Sequence, residues 1–269
     1  MEKTAITPNI KMGFSGYKGK TIMVTGGARG IGAQIVEQFV QLDAHIAIID
    51  VMDDQGENLA DGWRQKGYNV QYFHCDVSKP VDVKNMVASV VDEFKHIDVL
   101  INNAGIFPRA DFLEMDEAFW DKVLAVNLKG AYLTSQAVAP MMIEQKSGNI
   151  LNIGSLHATK GQIDTTAYAV SKGGIITLTR NVAQNLSRYG IRVNCIHPGW
   201  VASDGEVARW KKVGEDLEAM ERSGQSMPLG RFQTGTDLAF AAIFLASDFA
   251  SQITGQMLYV DGGAQSHKA

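Results

Sequence analysis

Short apolar segments alternate with amphipathic segments along most of this chain of 269 residues. The apolar segments have the length of buried strands, whereas the amphipathic ones repeat apolar residues at helical spacing. Strands that alternate with helices form parallel sheets, and the crossover helices cover both faces of such a sheet. We therefore predict one α/β domain built on a doubly wound parallel sheet of about seven strands.

The predicted elements follow one another from residue 20 without a linker, an internal repeat or a low-complexity tract. Strands are predicted at 21–25, 45–50, 69–75, 97–102, 149–154, 191–197 and 256–260. Helices are predicted at 30–42, 53–66, 116–145 and 167–189, and another is expected to follow an N-cap at Ser78 and to reach Phe94. Pro140 is expected to break the helix at 116–145.

Two segments stand outside this regular pattern. Residues 1–19 mix charge, proline and glycine, and they are interpreted as an irregular lead-in to a domain at 20–269. The segment at about 200–230 is charged, punctuated by glycine and without a strand pattern. Long connections of this kind often carry binding residues, so we predict a substrate loop or lid there.

Composition excludes several classes of function. A net charge of −4 does not provide the basic face that nucleic-acid binding requires. The longest apolar run, 238–246, is shorter than the ~18 residues of a membrane span. Two cysteines cannot form a disulfide framework, and they favour a reducing compartment, so a cytoplasmic location is predicted. No His and Cys group has metal-binding spacing, and no metal is predicted.

A glycine-rich turn follows the first predicted strand and precedes a helix. Its sequence, TGGARGIG at 25–32, has the spacing G-x-x-x-G-x-G rather than the usual dinucleotide fingerprint. Glycines allow backbone amides to approach a pyrophosphate, and the helix N-terminus adds partial positive charge. Asp50 ends the second strand, where an acid binds ribose hydroxyls and repels a 2′-phosphate. The pattern therefore favours NAD over NADP, although Arg29 in the turn argues the other way.

Further polar residues follow the fourth and fifth predicted strands. The segment NNAG occupies 102–105, and Ser155 follows the fifth strand. Tyr168 and Lys172 are four positions apart on the next helix, so they share one helix face. The carboxyl ends of parallel strands border the ligand crevice of an open sheet. These residues are therefore expected to converge on the same edge as the glycine-rich turn.

This ordered set of motifs resembles the short-chain dehydrogenase/reductase family, from about residue 20 to residue 263. The resemblance rests on TGGARGIG at 25–32, Asp76, NNAG at 102–105, Asn127, Ser155, YAVSK at 168–172, HPG at 197–199 and the closing segment at 254–263. It implies a Rossmann-type fold and hydride transfer to or from a nicotinamide cofactor.

The resemblance also implies roles for individual residues. Tyr168 would be the general acid/base, Lys172 would lower the tyrosine pKa and hold the nicotinamide ribose, and Ser155 would bind the substrate oxygen. Asn127 would position a water molecule in a proton relay. The residues expected to bind the cofactor are Gly26, Arg29, Gly30, Ile31, Gly32, Asp50, Asp76, Val77, Asn103, Ala104, Gly105, Tyr168, Lys172, Pro198 and Gly199. Ser155, His157 and Arg109 are the candidate substrate contacts.

The preferred interpretation is an NAD-dependent oxidoreductase acting on a secondary alcohol or its ketone. The polar loops favour a polyol, a sugar or a similar hydroxy compound. An NADPH-dependent reductase of 3-oxoacyl thioesters is an alternative, which Asp50 and the acidic chain disfavour. A non-catalytic dinucleotide sensor or scaffold is a third possibility, against which the intact tyrosine and lysine argue. The resemblance implies a homotetramer, often formed through the helix carrying Tyr168 and the segment 236–246.

Overall fold

The computed structural model describes residues 16–265 apart from 213, 215 and 216. Its seven parallel strands form one sheet in the order β3-β2-β1-β4-β5-β6-β7. The strands are β1 (Thr21–Thr25), β2 (His45–Asp50), β3 (Val70–His74), β4 (Val99–Asn102), β5 (Gly148–Ile153), β6 (Ile191–Pro198) and β7 (Met257–Val260). The predicted doubly wound sheet is therefore confirmed, with the reversal of strand order lying between β1 and β4.

Helices cover both faces of the sheet. They are α1 (Gly30–Val40), α2 (Asp53–Arg64), α3 (Pro80–Phe94), α4 (Glu117–Leu124), α5 (Gly130–Gln145), α6 (Thr166–Leu186), α7 (Asp204–Lys212), α8 (Leu217–Gln225) and α9 (Gly235–Ala246). One apolar core contains Phe39 of α1 and Ile243 of α9. The other contains Met86 of α3 and Val138 of α5. Strands β1, β2 and β4 are largely buried between these two layers, which explains their apolar sequences. The edge strands β3 and β7 are only partly buried.

The long helix predicted at 116–145 is interrupted, but not at Pro140. A π-helical turn, Ala125–Lys129, separates α4 from α5, and Pro140 lies inside α5. The predicted break at Pro140 is wrong because Pro140 and Gln136 are both on the exposed side of the helix. Proline has no backbone N–H, so the Gln136 carbonyl has no donor within the helix. Because this carbonyl lies on the exposed side, water can hydrogen-bond to it. The interruption instead occurs at Asn127, a predicted site residue.

The predicted N-cap at Ser78 is also wrong. Helix α3 begins at Pro80 and its N-cap is Lys79. The Ser78 hydroxyl donates to the Asp76 carboxylate at 2.6 Å, and its amide donates to the same oxygen at 3.0 Å. The hydroxyl and the amide of Ser78 are thus both bound to the acid two positions earlier, and the helix starts one residue later than the predicted cap implies.

The N-terminal side of the domain includes part of the predicted lead-in. Residues 1–15 lie outside the described residues, but Tyr17 is fully buried. Its hydroxyl donates to the Ile243 carbonyl at 2.5 Å, and its ring packs on Phe39. Packing thus extends upstream of residue 20. Within the described residues, no helix combines the length and apolarity needed to cross a membrane.

Candidate active site

The glycine-rich turn brings two chain segments into close contact. Gly26 has a φ of +63°, and a Cβ there would lie 2.8 Å from the Ala104 Cα atom. A Cβ on Gly32 would lie 2.0 Å from the Gly26 carbonyl oxygen. Neither position can accept a side chain without moving the backbone. The turn is therefore a tight cradle, which fits the close approach of a pyrophosphate.

Helix α1 starts directly from this turn. Its N-cap is Arg29, and the Arg29 side chain makes no capping hydrogen bond. The first amides of a helix have no acceptor within the helix, so those of Gly30, Ile31 and Gly32 point toward the turn with partial positive charge. The Arg29 side chain is exposed. This end of α1 is thus suited to an anionic group.

Asp50 lies against the turn, as the sequence predicts for a ribose-binding acid. Its Oδ2 atom accepts from the Ala28 amide at 3.1 Å. Its Oδ1 atom accepts from the Val51 amide at 2.8 Å and from the Met52 amide at 3.3 Å. These amides fix the carboxylate beside the glycine-rich turn. The remaining lone pairs on both oxygens can accept further hydrogen bonds.

The segment 102–105 is tied to the same turn. The Thr25 hydroxyl accepts from the amides of Asn103 and Ala104 at 3.1 and 3.0 Å. The Asn103 side-chain amide donates to the carbonyls of Thr25 and Gly26 at 3.0 and 2.9 Å. The Asn103 side chain is therefore engaged within the chain. It holds the loops after β1 and β4 together at the reversal of strand order.

Other predicted cofactor residues occupy the loops after β3 and β6. Hydrogen bonds from Ser78, together with Lys79 at 3.3 Å, hold the pKa of Asp76 below its usual range. Val77 is buried and packs on Gly130, where a Cβ would lie 2.8 Å from Val77 Cγ2. After β6, Gly199 donates its amide to the Val260 carbonyl at 3.1 Å. Pro198 and Gly199 thus belong to the same strand edge.

The predicted catalytic residues come together at the end of β5. Ser155 follows this strand, and Lys172 of α6 donates from Nζ to the carbonyl of Ile153, the last β5 residue, at 2.8 Å. The Lys172 ammonium lies 5.7 Å from the centroid of the Tyr168 ring. The Ser155 hydroxyl accepts from the His157 amide at 3.2 Å and lies close enough to the Tyr168 phenol to lower its pKa. The spacing of Tyr168 and Lys172 thus places both on the helix face that meets Ser155.

Burial controls the protonation of this cluster. It raises the pKa of the Tyr168 phenol, and the hydrogen bond with Ser155 acts in the opposite direction. Burial lowers the pKa of Lys172 to about 8. The lowering of the tyrosine pKa by Lys172 stays a prediction. The chain holds a protonated phenol beside an ammonium whose charge is only weakly solvated.

Asn127 is placed by the π-helical turn. Its Oδ1 atom accepts from the Ile106 amide at 2.8 Å, and its Nδ2 atom donates to the Ile106 carbonyl at 2.9 Å and to the Ser171 hydroxyl at 3.2 Å. The side chain therefore connects the loop after β4 with helix α6. Single π-turns inside helices are frequently found at functional sites.

His197 is a residue near the reacting groups to which the sequence assigned no role. It is fully buried, and its Nδ1 atom lies 3.1 Å from the amide nitrogen and 2.8 Å from the carbonyl oxygen of Ser155. One of these contacts is a hydrogen bond in either tautomer. Burial holds the pKa of His197 below its usual range. The motif HPG contained the signal, because its histidine precedes the loop that borders the site.

The candidate substrate residues lie beside Tyr168 in an aromatic cluster. The ring centroid of Phe107 is 4.3 Å from that of Tyr168, and the His157 centroid is 5.5 Å from it. Arg109 forms an ion pair with Asp164, with Nη1 3.0 Å from Oδ1. The sequence reasoning missed Phe107 and Asp164. The available signal for Phe107 was an aromatic residue two positions after the segment NNAG at 102–105.

The predicted lid segment contains two helices, α7 and α8, rather than an irregular loop. The Glu206 carboxylate accepts from the indole nitrogens of Trp200 and Trp210 at 2.8 and 2.9 Å. It also pairs with Arg209 at 2.6 Å. The Trp200 ring packs on Phe232, 4.9 Å away between centroids. The first half of the segment is therefore anchored around one carboxylate.

Known proteins resemble this chain over almost its whole length. A family model described as enoyl-(acyl carrier protein) reductase matches residues 26–265. The 3-oxoacyl-(acyl-carrier-protein) reductase FabG of Chlamydia pneumoniae is 37% identical over 245 residues, covering 91% of this chain and 96% of that protein. (+)-Borneol dehydrogenase 2 of Salvia officinalis is 36% identical over 256 residues, covering 92% and 90%. The crystal structure of levodione reductase matches with a TM-score of 0.88 at 29% identity, covering 94% and 100%.

Proposed function

Because the chain belongs to the short-chain dehydrogenase/reductase family of oxidoreductases, we propose that it transfers a hydride between NAD and a secondary alcohol or its ketone. The observation that carries this proposal is the Tyr168, Ser155 and Lys172 cluster. It lies at the same edge of the sheet as the glycine-rich turn. A proton donor, a hydroxyl and a buried cation there suit a reaction that interconverts an alcohol and a carbonyl group.

The residues of the chain supply binding and proton transfer. When bound, the nicotinamide dinucleotide supplies or accepts the hydride. Tyr168 gives its phenolic proton to the substrate oxygen in reduction and takes it back in oxidation. Ser155 donates a hydrogen bond to the same oxygen, and Lys172 favours the phenolate through its charge. Asn127 holds the loop after β4 against α6 and thereby orients the helix that carries Tyr168.

The proposed cofactor is NAD, because Asp50 is fixed beside the glycine-rich turn by three backbone amides. A 2′-phosphate there would face a carboxylate. Titration of the purified protein should give at least ~tenfold tighter binding of NAD than of NADP, which is about 1.4 kcal/mol. Asp50→Ala should reduce this preference, because it removes both the ribose acceptor and the repulsion.

Asp54→Asn provides the matched control, since Asp54 is an exposed acid in the first turn of α2, four positions after Asp50. This variant should retain the preference of the wild-type protein. Equal or tighter binding of NADP to the wild-type protein would contradict the NAD proposal. It would make the exposed Arg29 the residue that decides cofactor choice.

A second candidate function is NADPH-dependent reduction of a 3-oxoacyl thioester. The 37% identity to a FabG reductase favours it. A screen with both cofactors separates the two candidates. It would follow NAD or NADP reduction on sugars, polyols, hydroxy acids and cyclic alcohols, and NADPH oxidation on acetoacetyl thioesters. The polyol, sugar or polar hydroxy compound favoured by the sequence stays a prediction that this screen tests.

The segment 200–230 is proposed to close over bound substrate, because lids exclude water and complete the site. Trypsin should cut the ligand-free protein at the exposed Lys211 and Lys212. These residues end α7, just beyond the part anchored by Glu206. Saturating NAD together with an alcohol from the screen should slow this cleavage. The cleavage rate at a site in a different exposed segment serves as control, and unchanged cutting at saturation would contradict a lid.

Assembly and location are proposed on the same basis. We expect a homotetramer formed through α6 and α9, each of which exposes an apolar side chain, Val170 and Phe244. Sedimentation of the full chain tests this. A cytoplasmic location agrees with the two free thiols, Cys75 and Cys195, which a reducing compartment preserves. Cell fractionation tests that proposal.

A further inference from the structure

We infer that the substrate is a neutral ketone or secondary alcohol that places an apolar face against Phe107, and that Arg109 is not a receptor for a substrate anion. This inference rests on the proposed function, because it takes Tyr168 as the residue that contacts the reacting oxygen. It narrows the substrate class and departs from the polar substrate predicted from the composition of the loops.

Phe107 and His157 form an aromatic wall beside Tyr168. The Phe107 ring is tilted by 50° to the Tyr168 ring, with the centroids 4.3 Å apart, and it also contacts His157 with centroids 5.4 Å apart. Despite these contacts, 41% of Phe107 remains exposed. A substrate whose oxygen reaches the Tyr168 hydroxyl therefore has its carbon skeleton within reach of the open part of the Phe107 ring. Covering this surface removes apolar area from water.

The charge of Arg109, which lies next to this wall, is paired within the chain. Its guanidinium binds Asp164, with Nη1 at 3.0 and 3.4 Å from the two carboxylate oxygens. It also lies 5.1 Å from the centroid of Phe107. The Ala110 amide donates to the Asp164 carbonyl at 3.1 Å. The ion pair therefore fastens the loop after β4 to the loop before α6, and the Asp164 carboxylate would repel a substrate anion that approached Arg109.

His157 is the basic side chain within the wall itself. Burial, and then the nearby charge of Arg109, lower the pKa of His157 below its usual value. His157 is thus neutral at pH 7. Its buried Nδ1 atom has no hydrogen-bond partner among the described residues. In the part of the chain that the structure describes, the wall therefore offers an aromatic surface without a free cation, which suits a substrate with few polar groups beyond the reacting oxygen.

The test uses two ketones that share the phenyl ketone unit, methyl benzoylformate and benzoylformate, reduced with NADH or NADPH. The first is neutral and carries one more methyl group, and the second is an anion. We expect kcat/KM for the ester to exceed that for the acid at least ~tenfold. Phe107→Ala should lower the value for the ester at least ~tenfold, while its affinity for the cofactor stays unchanged. Phe112→Ala is the matched control, because Phe112 is 70% exposed in the same loop. Circular dichroism would verify folding of each variant.

Arg109→Gln tests the role of the ion pair. We expect kcat/KM for the two ketones to fall together, because the variant loosens the loop that holds Phe107. A preference of the wild-type protein for the acid, with loss of that preference alone in Arg109→Gln, would overturn the inference. So would an unchanged kcat/KM for the ester in Phe107→Ala.

Failure of the proposed function gives a different result. In that case no carbonyl compound is reduced with either cofactor. Calorimetric binding of the same two ketones then decides the inference independently. Tighter binding of the ester, lost in Phe107→Ala and kept in Phe112→Ala, supports it, and equal binding or tighter binding of the acid overturns it.

Discussion

Replacing Tyr168 by phenylalanine will lower turnover by at least ~100-fold, the usual contribution of a positioned proton-transfer group. The variant keeps the ring that packs on Phe107 and His157 and removes only the ionisable oxygen. NAD affinity should barely change, because the proposed cofactor contacts come chiefly from the glycine-rich turn, Asp50 and Lys172. Steady-state turnover on an identified alcohol and calorimetric titration with NAD measure the two effects.

Tyr132→Phe is the matched control for this substitution. Tyr132 lies on α5, is 44% exposed and has its hydroxyl bonded to Gln136. We expect it to keep the turnover of the wild-type protein. Near-normal turnover in Tyr168→Phe would remove the proposed mechanism. Loss of NAD binding in that variant would instead assign the hydroxyl a structural role.

Replacing Lys172 by methionine should damage both cofactor binding and catalysis, unlike Tyr168→Phe. The ammonium is assigned two tasks, holding the ribose and stabilising the phenolate. We expect losses of at least ~tenfold in NAD affinity and in turnover, as for removal of a charged hydrogen bond. Parallel titration and kinetics on both variants give the contrast. Normal NAD affinity in Lys172→Met would contradict the ribose contact.

The same substitution should change how stability depends on pH. In the folded protein burial lowers the pKa of Lys172 from 10.5 to about 8, so between these values the unfolded chain binds more protons than the folded one. Wild-type stability should therefore rise as pH increases through this range. Relative to Lys172→Met, the gain should be about 3 kcal/mol when pH rises from 7 to above 10.

Urea unfolding at pH 7 and pH 10 measures this gain. Lys84→Met, on the exposed side of α3, should follow the wild-type protein at both pH values. Parallel stability curves for Lys172→Met and the wild-type protein would show that the ammonium is not desolvated as described.

The central strands could be predicted from the sequence because burial on both faces gives them a largely apolar pattern. All five residues of β1 are buried, and so are the four central residues of β2. The edge proposed to bind the cofactor followed from the parallel arrangement alone. Helical spacing likewise placed Tyr168 and Lys172 on one face, which the structure brings to the end of β5.

Contacts between residues distant in the chain could not be predicted in this way. Arg109 and Asp164 are 55 positions apart, and nothing in either local sequence indicates that they pair. The same holds for Phe107 and Tyr168. Local rules also failed where a second partner was present. Ser78 has the residue type of a helix cap, but its hydroxyl and its amide both bond to Asp76 in the turn before the helix. The exposed position of Pro140 lowers the usual cost of an interior proline, because water can bond the carbonyl left without a partner.

The order of the strands has a consequence for synthesis of the chain from its N-terminus. β1, β2 and β3 are neighbours in the sheet and are complete once residue 74 has been made. The loop that carries Gly199 is fastened by the Gly199 amide, which donates to the carbonyl of Val260 in β7. The glycine-rich turn and Asp50 can therefore assemble early on the ribosome. The edge at Gly199 is completed only after Val260 has left the ribosome.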